Sequence, residues 1–437
     1  MEMRADVLRA RPTLDPSFDA LIDAIPEGLV KAPDDFALDP ELSRDPYKLL
    51  LDLRDREGPV VKGVGNVFGG NVIYPNSYAH DMEKPYFLVL GIEEVERIAM
   101  DSKSFINDGA YGAHSKTLGE IPTLTDGKRH TELRSAYNQV LGHRSIQGVT
   151  ESLVDPTVDF LMDRMARKFA AGETVDIPRD FGLPLIYKAM STLIGVPQEK
   201  FLEFVVMGEL LFTAPLQPEK GGKASQDLFE FYMAEVDKRK GAPRDDLTSW
   251  FMQAEVGGRH MTDPEVAQHA RFLLPAGIET TWRQISMMFA ALLGHPDQYR
   301  LLVENPELMD GAIEESIRYY PSGFRAPRMT ARTTEVAGVE IPEGSALILV
   351  LGIANRDPRR WTDPNRFDIR REPKPHRTFN LGVHTCAGQH LVRLEMRAAL
   401  REAIRRFPNM RLACKPEEID IRGASVRTPL HVPVLLD

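Results

Sequence analysis

Two cysteines, Cys386 and Cys414, are all the thiols this 437-residue chain has for metal or redox chemistry. Cys386 stands in Phe379-Asn380-Leu381-Gly382-Val383-His384-Thr385-Cys386-Ala387-Gly388. A helical pattern follows, with Val392, Met396, Ala399, Ala403 and Phe407 on its apolar stripe and Arg393, Glu395, Arg397, Arg401 and Arg405 on its polar faces. A thiol just ahead of a helix N-terminus meets free backbone N–H groups and the positive end of the macrodipole, and both stabilise a thiolate. Gly382 and Gly388 permit close approach of something flat and large. The setting suits a metal-ligating thiolate. The plainer alternative is a buried, inert cysteine, which is how Cys414 reads in Leu412-Ala413-Cys414-Lys415. Zinc is excluded by the lack of a C-x-x-C partner.

A second place with chemical potential is Ala276-Gly277-Ile278-Glu279-Thr280-Thr281. Thr262-Asp263-Pro264-Glu265 offers a capping box with proline in the first turn, and a helical pattern runs from there to about Leu293. At 1.5 Å per residue such a helix spans about 45 Å, so it must be central. Pro275 lacks an N–H and crowds the carbonyl of Arg271, and Gly277 weakens the same turn, which predicts a local opening beside the acid Glu279 and the hydroxyl of Thr280.

The pattern F-x-x-G-x-H-x-C-x-G resembles the haem-ligand loop of the cytochrome P-450 family, and further motifs follow that family's order and spacing. Glu315-Ser316-Ile317-Arg318 is similar to its E-x-x-R, a tetrapeptide that means little alone because any surface helix can carry such a pair. Asp363-Pro364-Asn365-Arg366-Phe367 resembles the meander, and the resemblance implies a structural Glu315–Arg318–Arg366 network behind the haem. Ala276 to Thr281 is similar to the oxygen-groove motif A-G-x-[DE]-T-T, and His130-Thr131-Glu132-Leu133-Arg134 to the H-T-x-L-R helix that holds the haem propionates. The resemblance covers the chain from about residue 45 onward. Asn380 departs from it, standing where the family most often has glycine, and asparagine is the best substitute where φ is positive.

The resemblance implies haem b with Cys386 as the iron ligand. Phe379, Gly382 and Gly388 lie in the ligand loop, and Ala276 and Gly277 lie on the opposite side. His130, Arg134, Arg328 and His384 supply donors to the propionates. The thiolate favours O–O cleavage and needs protons on the distal side, which the pair Glu279 and Thr280 can relay. The activity expected is insertion of one oxygen atom of O₂ into an apolar small organic substrate. Electrons would come from a separate iron–sulfur ferredoxin and ferredoxin reductase, since no flavin or nicotinamide fingerprint appears. The alternatives are a peroxide-driven peroxygenase or isomerase, which would need no proton relay, and a non-catalytic haem sensor, for which no signalling module is visible. Lys128, Arg129, Arg134, Arg144 and Arg377 form the basic patch expected to receive the ferredoxin.

The elements that must position these residues read as a mainly α protein with small β regions (α+β), the P-450 fold with a long central helix over the haem. Helical periodicity fills the middle, from segments beginning near Asp126, Glu151, Leu183, Lys200, Ala224, Leu247, Thr262 and Pro306. Strand signals appear at Gly58 to Val64, Tyr86 to Leu90, Thr334 to Val339, Ala346 to Leu351 and in the last thirty residues. Glycine and proline are scattered and no linker divides the chain, so 1–437 reads as one domain with an N-terminal extension (1–44) and an elongated hairpin insertion at about 63–84. A formal charge of −10 without a basic stripe argues against nucleic acid as a partner. Apolar runs far shorter than about 20 residues argue against a membrane span, and cysteine usage with no secretory signal places the protein in the cytoplasm. Substrate identity is left to stretches without a family signature: Phe105 to Ile121, Phe201 to Gly222, Gly323 to Ala326 and the turn near Ser425.

Overall fold

The structure, a computed structural model, describes residues 17–32, 38–64, 67–68, 71–72, 85–111, 117–142, 145–146, 148–214 and 217–436. Helices dominate, and each segment with helical periodicity forms one: Gly127–Leu141, Asp155–Ala170, Leu183–Ile194, Phe201–Phe212, Pro218–Gly241, Leu247–Gln253, Asp263–Leu273 and Met309–Tyr319. Their apolar stripes meet in one large cluster that includes Leu133, Met162, Tyr187, Ile278, Trp282, Ile317 and Met396. Two smaller clusters lie on either face of the largest sheet.

That sheet has seven strands in the order Asn71–Val72, Val67–Phe68, Val60–Val64, Pro85–Val89, Ala346–Leu349, Ala326–Thr330, Phe105–Ile106. Ala346–Leu349 runs parallel to Pro85–Val89 and antiparallel to Ala326–Thr330, so Arg328 faces Leu347 across the ladder. The insertion expected at 63–84 begins as two short antiparallel pairings, Val64 with Val67 and Val67 with Val72, and residues 73–84 lie outside the described residues. The C-terminal strand signals resolve into Met410–Leu412 with Pro433–Leu436 and Ile421–Arg422 with Thr428–Pro429. Among the described residues, no helix is long and apolar enough to cross a membrane.

The central helix breaks where its sequence is weakest. Thr262 and Glu265 form a reciprocal capping box at its start. The α-helix then ends at Leu273, Leu274–Ile278 form a π-type turn around Pro275, and helix resumes at Thr281–Gly294. Of the N-terminal extension, Ser17–Asp23 forms a helix whose Phe18 packs edge-on to Phe201 and whose Asp19 and Asp23 bind Arg164.

Candidate active site

A cavity of about 350 Å³ lies between the broken turn of the central helix and the Cys386 loop. Ala276, Gly277 and Thr280 line one side; Phe379, Cys386, Ala387 and Gly388 line the other; His130, Arg134 and His384 lie on its wall. Residues from three separate sequence segments thus converge on one space.

The Cys386 loop is held by backbone geometry. Asn380 adopts φ 59° and its Oδ1 accepts the N–H of Leu381, so asparagine occupies the left-handed conformation that its sequence position suggested. The N–H of Cys386 donates to the carbonyl of Phe379 at 2.9 Å. Gly382 has φ 72°, and a Cβ there would sit 2.5 Å from the carbonyl oxygen of Ala99. It shapes the loop from behind and does not line the cavity. Cys386 is exposed, but into the cavity it lines and not to the outer surface. Burial within the protein pushes its thiol up, while the N–H groups of Gly388 and Gln389 and the cations Arg134 and Arg393 pull it back. A ligand that favours thiolate completes that balance. Cys414 lies off this cavity, partly buried near Glu417 and Glu418.

The donors on the cavity wall fit an anionic, planar group. His130 and His384 sit with ring centroids 4.4 Å apart. Nε2 of buried His130 on the wall, and Nη2 of buried Arg328, which does not line the cavity, have no hydrogen-bond partner among the described residues, which is costly unless a ligand supplies acceptors. Burial, then His384 and Arg134, holds the His130 imidazole down to about 4, so it is neutral at physiological pH. His384 Nε2 lies 3.2 Å from Asp126 Oδ1. Burial disfavours the Asp126 carboxylate, but His384 and the N–H groups of Asp108 and Asn107 outweigh it and hold the carboxyl below its usual range. Arg134 donates to the Thr385 carbonyl at 2.5 Å, tying its helix to the cysteine loop. Sequence reasoning took Asp126 only as a helix start, and its long-range bond to His384 left no local signal.

On the opposite side the Thr280 hydroxyl donates to the Ala276 carbonyl at 2.9 Å, and Ser322 donates to the Thr280 carbonyl at 3.1 Å. Glu279 faces away from the cavity. It is buried and receives hydrogen bonds from Tyr187 Oη, Trp282 Nε1 and Arg283, whose Nη1 lies at 2.5 Å. The expected direct link from Glu279 to solvent is therefore replaced by a closed ion cluster.

Behind the cysteine loop, Arg318 donates to both Glu315 oxygens at 2.7 and 2.8 Å. The third guanidinium differs from the expectation. Arg366 contributes its backbone carbonyl, while its side chain is 67% exposed and reaches only Asp368, at 3.6 Å. Arg371 takes the place at Glu315, with Nε 3.0 and 3.1 Å from its two oxygens. A meander has no periodicity from which to tell which of its arginines turns inward.

Two further expectations change. Glu395, assigned to a polar helix face, is buried and lines the cavity; its Oε1 has no hydrogen-bond partner among the described residues and burial raises the carboxyl to about 8. Three members of the basic patch are internally neutralised: Arg129 pairs with Glu120 and Glu265 at 2.8 and 3.0 Å, Lys128 with Glu132 at 3.6 Å, and Arg377 with Glu96, while Arg134 is turned to the Thr385 carbonyl. Arg144 lies outside the described residues.

A family model described as Cytochrome P450 matches residues 75–430. Nocardicin C N-oxygenase of Nocardia uniformis subsp. tsuyamanensis is 33% identical over 351 residues, 76% of this chain and 87% of that protein. The 6-deoxyerythronolide B hydroxylase of Saccharopolyspora erythraea is 32% identical over 317 residues, 72% of this chain and 77% of that protein. Among solved structures, the cytochrome PksS of the Bacillus subtilis 168 bacillaene polyketide synthase aligns with a TM-score of 0.81 and 25% identity, covering 91% of this chain and 98% of that one. On this agreement of motifs, cavity and relatives, the chain belongs to the cytochrome P-450 family of haem-thiolate monooxygenases.

Proposed function

We propose that the cavity would hold haem b, with Cys386 as the residue that would ligate its iron, and that the enzyme inserts one oxygen atom of O₂ into an apolar small organic substrate in the cytoplasm. The observation that carries this reading is the opposition of Cys386 and Thr280 across one cavity whose wall holds His130, Arg134 and His384, the His130 Nε2 without a hydrogen-bond partner among the described residues. His130, Arg134, Arg328 and His384 would hold the propionates, with Phe379, Gly382 and Gly388 shaping the ligand side and Ala276 and Gly277 leaving room opposite. When bound, the haem-thiolate supplies dioxygen activation and O–O cleavage.

The chain's own residues do the rest. Thr280 can turn its hydroxyl from the Ala276 carbonyl into the cavity and hold a proton donor there, while Glu279, one residue away, ties this turn to Arg283. Met190, Phe272, Leu273 and Leu351 give the substrate an apolar wall that excludes water from the reacting centre. Electrons come from a separate iron–sulfur ferredoxin and its reductase. With Lys128, Arg129 and Arg377 ion-paired, the exposed apolar side chains Met100 and Val383 are surface features next to the cysteine loop that such a donor would cover.

The test supplies ferredoxin, reductase and isotopically labelled dioxygen, with substrates first selected by the low-spin to high-spin Soret shift. One labelled atom in the product and the other in water is the expected result. Product formed with peroxide alone, and none with dioxygen and electrons, would favour the peroxygenase reading.

A further inference from the structure

The ion cluster behind the central helix contains one more carboxylate than its buried cation can neutralise. Arg283 is fully buried, its guanidinium stacked 4.2 Å over the Trp282 ring, with Nη1 on Glu279 and Nη2 3.5 Å from Glu209 Oε2. Glu209 is 4% exposed, and its Oε1 has no hydrogen-bond partner among the described residues. The nearest further charge is Lys31, half-exposed, with Nζ 3.7 Å from that same oxygen. Its backbone carbonyl accepts from Arg283 Nη2 at 3.3 Å. Gly208 makes the approach possible, since a Cβ there would lie 2.9 Å from the Tyr187 hydroxyl and 3.5 Å from Glu279.

The charged or titratable groups that act on Glu209 come from three elements: Lys31 from the N-terminal segment, Glu279 and Arg283 from the central helix, and Tyr187 from Leu183–Ile194. Two carboxylates around one buried guanidinium leave a net negative charge in low dielectric, which is expensive unless a proton is taken up. From this geometry we propose that Glu209 and Glu279 form a carboxylate pair that shares one proton around Arg283, with Lys31 at its solvent mouth, so that Glu209 is the positioning residue that keeps Glu279 supplied with a proton.

Burial and the neighbouring Glu279 raise the Glu209 carboxyl to about 7, against the opposing pull of Arg283 and Lys31. Lys31 precedes the span matched by the family model, which starts at residue 75. The N-terminal segment is fastened by Phe18 between Phe160 and Phe201 and by Asp19 and Asp23 on Arg164. The proposal rests on the Glu279–Thr280 reading for its catalytic consequence, but the shared proton stands on the cluster alone.

The experiment is an infrared titration of the haem-loaded protein, following the carbonyl stretch of protonated carboxylic acid from about pH 5 to 9, together with product formed per NAD(P)H consumed. A band that titrates near neutrality in the wild type and vanishes in Glu209→Gln supports the shared proton, because that variant leaves one carboxylate for one guanidinium. Lys31→Ala, on an exposed side chain, should raise the midpoint by about 0.5 pH unit, since an ammonium that favours the ionised form is lost. Coupled product formation should fall several-fold in Glu209→Gln with the substrate-induced spin shift unchanged. The buried carboxyl of Glu395 also titrates in this range and contributes equally to both proteins, so the reading is the wild type minus Glu209→Gln difference; a difference spectrum with no titrating band, or a midpoint indifferent to Lys31→Ala, overturns the proposal. A band that behaves as expected while Glu209→Gln and Thr280→Ala both leave coupling intact keeps the shared proton and removes the relay reading.

Discussion

Arg371→Ala against Arg366→Ala separates the network seen behind the cysteine loop from the one its motif suggested. Arg371 binds both Glu315 oxygens through Nε at 3.0 and 3.1 Å, the Thr362 carbonyl at 2.6 Å, and the carbonyls of Asp363 and Arg366 at 3.1 and 2.6 Å. Truncation strips these bonds, but Glu315 keeps Arg318, so the cost stays below that of an unpaired buried charge, at about 2.5 kcal/mol. Arg366 is largely exposed and loses one 3.6 Å contact, under about 0.5 kcal/mol. Unfolding entropy of about 2.1 cal/mol/K per residue gives roughly 0.9 kcal/mol/K for a chain of this length, so the expected falls in melting temperature are about 3 °C and under about 1 °C. Far-UV circular dichroism of both haem-loaded variants at one scan rate reads the difference. Equal falls, or a larger one for Arg366→Ala, would refute the assignment of Arg371.

Thr280→Ala is expected to leave haem content and the substrate-induced spin shift intact while lowering product per NAD(P)H consumed and diverting electrons to peroxide or water; unchanged coupling would remove its hydroxyl from the proton path. Asn380→Ala should cost about 1 kcal/mol at its φ of 59° and Asn380→Gly little, read as denaturant midpoints. Glu314 sits in a partly buried site that opposes its charge, yet His376 and Arg393 outweigh this and depress its carboxyl to about 2. A depressed carboxylate stabilises above its unfolded value and loses that contribution as pH falls toward about 2. Thermal midpoints of wild type and Glu314→Gln should therefore differ near pH 6 and converge as the solution is acidified below about 4.5.

What the sequence could disclose was set by how local each signal is. The capping box of Thr262 and Glu265, the break at Pro275 and the left-handed Asn380 depend on neighbouring backbone, and all three appear where the residues stand. Buried stripes at helical spacing placed the helices for the same reason. Pairings across the fold left no such trace. Glu209 lies in the apolar run Phe201–Phe212, and its partners Lys31, Glu279 and Arg283 are far away in sequence. Arg129 looked like a free cation until Glu120 and Glu265 met it, one from a neighbouring loop and one from the start of the central helix. Glu395 follows Leu394 on a helix rich in arginine, and nothing in that spacing reveals that its carboxyl turns toward the cavity.

The account stands most directly on Cys386. Its central claim is tested by the spectrum of the reduced carbon monoxide complex for wild type, Cys386→Ser and Cys414→Ser. The red-shifted thiolate Soret band should be present in wild type and Cys414→Ser and absent in Cys386→Ser. Retention of that band in Cys386→Ser would contradict the assignment of the ligand and the site built around it.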